Sequence, residues 1–110
     1  WLSERNLYRD PYLHTFDVMT FWDSLEHIPD FDLILQNCIQ WAFIAMPIYQ
    51  SLMDVLQSKH YRKDEHYWYF THVGLIDVMY RLGFMFTASA NLEAEYGRDG
   101  ITTFAFRRCE

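Results

Sequence analysis

The sequence predicts an α/β fold, on three observations. Residues Phe16 to Trp22 form a short, nearly continuous apolar run, and Asp23, Ser24, Glu26 and His27 arrive together at its end. Thr71 to Leu82 carries an apolar stripe at helical spacing and stops at Gly83. Two alternating runs, 84–90 and 101–107, follow that helix with a polar connection between them. Strand and helix patterns interleave along one chain, as they do in a sheet covered by helices.

In chain order, Trp1 to Pro11 starts like the end of a helix and runs into a short strand at Leu7-Tyr8. Asp10-Pro11 marks a turn, because proline pushes the residue before it out of the helical region. The run Phe16–Trp22 suits a strand buried on both faces. Asp30 is placed to cap a short helix reaching about Cys38. Trp41 to Met46 is a second buried strand, parallel to the first and stopped by Pro47, with the short helix as the crossover. Leu52, Val55 and Leu56 have helical spacing, so two helical turns are expected over 51–58. The following segment, KHYRKDEHYWYFT, is dense in His, Tyr, Trp and charge. Such a segment suits a pocket wall or lid, and equally a loop that packs its own side chains on the domain. Thr71 caps the long helix; Leu75, Ile76, Met79 and Leu82 form its stripe, and Gly83 supplies a left-handed stop. Phe84, Phe86, Ala88 and Ala90 then share one face of a strand.

Composition bounds the function. The 110 residues, 51% apolar and 19% aromatic, support one small domain with a genuine core. A net charge of −6 argues against a nucleic-acid surface, and Lys59, Arg62 and Lys63 form the main basic knot rather than a stripe. No long apolar span indicates membrane insertion, and no signal peptide is recognisable. Cys38 and Cys109 read as ordinary thiols, so a reduced cytoplasmic setting is expected. The chain opens on Trp1 rather than Met, and residues upstream are expected.

The stretch FDVMTFWDSLEHIPD, residues 16–30, resembles the fourth strand and following loop of class I S-adenosylmethionine-dependent methyltransferases. It is most similar to small uncharacterised enzymes and to ubiquinone-biosynthesis-type methyltransferases. Helix, "GF" strand, polar connection and final strand also resemble the end of that fold. The resemblance implies a partial Rossmann-like methyltransferase fold: the later strands of the sheet, the last one antiparallel, with residues 1–110 as the C-terminal part of a single domain. The N-terminal half with its glycine-rich loop has no counterpart, nor has the acidic residue that holds the ribose. This chain alone is therefore expected to bind S-adenosylmethionine weakly or not at all. With no first strand beside it, 16–22 is an apolar edge, and a homo-oligomer built on that strand is expected.

The resemblance implies methyl transfer to a small-molecule acceptor, with the O, N or C specificity open. A truncated, non-catalytic domain that self-associates or binds an N-terminal partner is the rival. Asp10, Asp23 and Ser24 are the candidate cofactor contacts, Asp10 near the adenine ring. Glu26 and His27 are the candidate catalytic pair, since methyl transfer to a hydroxyl benefits from proton removal. His66, Tyr67, Trp68 and Tyr69 are candidates for the substrate pocket. If the turn after the strand is helical, Asp23, Glu26 and His27 share one face and can meet a divalent ion. Some ubiquinone-type enzymes use a divalent cation at matching positions, which makes Mg²⁺ a candidate, although Asp23 is a methylene shorter than the Glu they carry. His60, His66 and His72 recur every six residues, a period of neither helix nor strand, and no zinc motif accompanies them.

Overall fold

The structure, a computed structural model, describes residues 8–61 and 65–110. Leu7 and the segment before it, with Arg62 and Lys63 of the basic knot, lie outside the described residues. Strands β1 (Phe16–Trp22), β2 (Cys38–Pro47), β3 (Phe84–Ala90) and β4 (Ile101–Arg108) form one sheet in the order β1-β2-β4-β3. β1 and β2 are parallel, while β4 runs antiparallel to both of its neighbours. Helices α1 (Phe31–Leu35), α2 (Leu52–Gln57), α3 (His72–Arg81) and α4 (Leu92–Glu95) fill the connections. No helix among the described residues is long and apolar enough to cross a membrane.

Local chemistry explains most of these boundaries. Thr71 Oγ1 accepts from the Gly74 amide at 2.9 Å, and Ser51 Oγ accepts from the Asp54 amide, so α3 and α2 start on side-chain caps. Gly83 ends the α3 segment at φ 92°, a conformation that favours glycine. Leu75 and Met79 are fully buried on the sheet side of α3, with Ile76 and Leu82 packed beside them. In β4, Phe104 and Phe106 stack at 5.7 Å and are almost fully buried, between β2 and β3. Arg108 closes the far end of the sheet: its guanidinium lies 4.2 Å from the Phe84 ring centre and donates to the Leu35, Cys38 and Leu82 carbonyls.

Four expectations are corrected. β1 is not buried on both faces: Met19 and Phe21 are buried, but Val18 and Trp22, on the other face, are 48% and 55% exposed. β1 stands at the edge of the sheet, with β2 as its strand neighbour among the described residues. α1 ends at Leu35 and β2 begins at Cys38, because Cys38 pairs with Phe16 and the Asn37 carbonyl accepts the Phe16 amide; the ladder takes residues that the helix would have used. Asp30 stands at the start of α1 without capping it, since its carboxylate accepts the Tyr12 hydroxyl at 2.7 Å instead. In β3 an irregularity between Phe86 and Ala88 breaks the expected alternation, and only Phe84 is fully buried there.

Candidate functional site

Where β1 leaves the sheet, the Asp23 amide makes a last ladder bond to the Ala45 carbonyl, at 2.9 Å. Asp23 then takes φ 53°, an uncommon left-handed conformation that turns the chain sharply. A single 3₁₀ turn, Leu25–His27, follows. Leu25 is fully buried and anchors the turn, which carries Glu26 inward with it. The Glu26 carbonyl accepts the Tyr67 amide at 2.7 Å, and the Glu65 carbonyl lies 2.8 Å from His27 Nδ1. These bonds tie segment 65–67 to the turn and bring His66 over it. The His27 and His66 rings meet edge to face at 4.5 Å.

The result is a cleft of about 210 Å³ at the carboxyl ends of the strands, whose lining includes Asp23, Glu26, His27, His60, His66 and Arg98. In open α/β sheets this end is where ligands sit. Glu26 is only 2% exposed, and its Oε2 has no hydrogen-bond partner among the described residues. Its Oε1 lies 3.7 Å from His27 Nε2. Burial pushes the Glu26 carboxyl above the usual glutamate range, and the nearby Asp23 charge adds to this; His27 and His60 act the other way. A carbonyl can only accept, so the bond to Glu65 puts the proton of a neutral His27 on Nδ1 and leaves the Nε2 lone pair toward Glu26. Such a pair can take a proton from a bound hydroxyl or hold a cation.

The structure separates the other candidates. Asp23 does not join Glu26 and His27 as a ligand set; it pairs with Arg98 at 2.6 Å, and Arg98 also holds Glu93 at 3.0 Å. Among the described residues, Glu26, His27 and His66 are the acid and imidazole groups whose ligand atoms lie within 4.8 Å of one another. Ser24 borders a second, open groove along β1, together with Arg9, Pro11, Val18 and Met19. Asp10 lies between two residues of that groove, and its carboxylate accepts the Tyr12 amide within its own turn. Trp68 is a packing residue: its indole donates to the Ile28 carbonyl and stacks with Phe70. Tyr69 packs against Tyr49, Tyr61 and His66, whereas Tyr67 is largely exposed. Burial pushes the Tyr49 phenol up to about 12, which keeps it protonated. Arg98 and His60 were invisible as site residues in sequence: Arg98 is 75 positions from Asp23, and His60 binds the Asp99 carbonyl through Nε2.

No protein-family model matches the sequence, and no curated protein matches it. A solved structure does match: magnesium protoporphyrin IX methyltransferase from Synechocystis PCC 6803 with bound SAH. The TM-score is 0.54 at 10% identity, over 91% of this chain. The fold is that of a methyltransferase-like Rossmann sheet, in part. The chain spans 49% of the length of that enzyme.

Proposed function

We propose that this chain supplies the later strands of an S-adenosylmethionine-dependent methyltransferase acting on a small-molecule acceptor. The sheet order β1-β2-β4-β3 with only β4 reversed, superposable on a methyltransferase with bound SAH, is the observation that carries this reading. Residues 16–30 favour kinship with the ubiquinone-type enzymes.

The chain fits the cofactor only in part. The apolar groove along β1, with Ser24 in its lining, suits the flank of a nucleoside, but the sequence offers no glycine-rich cradle for it. The chemistry assigned here is therefore the acceptor's. The cleft orients an acceptor, Glu26 or His27 removes its proton, and buried Leu25 keeps that turn in register. The same bare β1 and missing glycine loop favour the second reading, a non-catalytic half-domain that associates with a partner completing the sheet.

Methyl transfer from radiolabelled S-adenosylmethionine to hydroxyl and amine acceptors, catalysed by the complete gene product, tests the first reading. Glu26→Gln and His27→Ala are expected to lower kcat by roughly a hundred- to ten-thousandfold while SAH still binds. Full activity in both variants would remove the cleft from catalysis, and a complete gene product that transfers no methyl group would leave the second reading.

A further inference from the structure

We propose that the recess between the end of β2, the start of α3 and α4 binds an uncharged small molecule that carries a carbonyl group. The inference goes beyond methyl transfer and does not depend on it. The recess measures about 510 Å³, more than twice the 210 Å³ cleft at Glu26, and is of a size that holds small ligands. Backbone bonds pin its walls. The Ile48 amide donates to the Gly100 carbonyl at 2.9 Å, and the Tyr49 amide to the Phe70 carbonyl at 3.0 Å. The recess is thus formed before a ligand arrives, which lowers the cost of binding.

The lining excludes charged ligands. Among the described residues, no Asp, Glu, Lys or Arg borders the recess, although such residues make up 22% of the chain. A carboxylate or phosphate would meet no Lys or Arg there, in a protein of net charge −6, and an ammonium group no carboxylate. Ile48, Ala94 and Ile101 supply apolar wall, and Val73 borders the same recess with 75% of its surface exposed. An apolar body seated against Val73 removes that surface from water.

The polar groups of the lining are set to donate. Thr102 Oγ1 donates to Asn91 Oδ1 at 2.9 Å, which orients the carboxamide and leaves its NH₂ group to donate. Thr71 Oγ1 accepts the Gly74 amide, so its own O–H remains a donor. His72, on the same wall, has its Nε2 engaged with Ser89 Oγ at 3.2 Å. Donors in an uncharged, largely apolar surround match the oxygen of a ketone, ester or carboxamide. Ile101 lines the recess and the cleft alike, so the two adjoin.

The test uses benzamide, benzoate and benzamidine, planar probes of nearly one shape that are neutral, anionic and cationic. It is run at pH 8, where an ordinary imidazole is neutral. Titrated into the ¹⁵N-labelled 110-residue chain, benzamide is expected to shift the backbone amide signals of Ile48, Val73 and Thr102 saturably. Benzoate and benzamidine should bind at least roughly tenfold more weakly. Asn91→Asp keeps the acceptor for Thr102, removes the donor and adds a negative charge. That variant should weaken benzamide by roughly three- to tenfold and strengthen benzamidine. Ala94→Phe, which fills the recess, repeats the test should Asn91→Asp fold poorly by circular dichroism, and is expected to abolish benzamide binding. No saturable shift with benzamide, equal affinity for the three probes, or benzamide binding indifferent to both variants would overturn the proposal.

Discussion

β1 and β2 lie side by side in parallel, both are apolar runs, and they meet opposite environments. From Ala42 to Met46, β2 is buried almost throughout, with Ala42, Ile44, Ala45 and Met46 each at 1% exposure or less. β1 buries Met19 and Phe21 and presents Val18 and Trp22 to solvent. The difference comes from what stands next to each strand. Among the described residues, β2 has a strand neighbour on both sides, and β1 has one. An apolar run thus qualifies a strand for burial on both faces, and only tertiary neighbours grant it.

The comparison breaks most sharply in the core. Phe104→Ala, beside β2, is expected to cost about 3–5 kcal/mol in chemical denaturation. Val18→Thr, on the open face of β1, should stay within about 0.5 kcal/mol. Similar losses at the two sites would mean that β1 is covered after all. If the edge recruits a second copy, as the apolar run 16–22 leads us to expect, light scattering will report a dimer and Val18→Lys will reduce it to one chain. A wild-type chain that is already monomeric would sink that expectation.

The smallest effect concerns the end of β1. Burial holds the Glu26 carboxyl above its ordinary range, so the native protein keeps a proton that the unfolded chain has lost. Stability therefore falls as pH rises from the ordinary glutamate value through the native one. In the presence of chelator, Glu26→Gln should remove that decline and raise the thermal midpoint at neutral pH. A variant less stable than wild type at pH 7 would show that the charged form is compensated.

Most of the fold could be read from local pattern. α3 declares itself by its Thr71 cap, its stripe and Gly83, and β4 by its alternation. The start of β2 could not be read, because whether residues 36–38 continue the helix or join the sheet depends on Phe16 pairing. Half of the site was legible for a similar reason. Glu26 and His27 are adjacent in sequence and follow a recognisable strand. His66 reaches them only through the backbone bonds that Tyr67 and Glu65 make with the turn, and such bonds leave no side-chain signature. Asp23 looked like a third ligand because its spacing allowed it; the left-handed φ and the distant Arg98 turn it to another task.

The central claim, a cofactor-dependent methyltransferase sheet completed along β1, is tested most directly by titrating SAH into the complete gene product and into residues 1–110 alone. Micromolar binding by the complete product, with little or none by residues 1–110, is the predicted result. No binding by the complete product would contradict the claim and leave the fold without its cofactor. Equally tight binding by residues 1–110 would show that the cleft and the β1 groove hold the nucleoside without a glycine cradle.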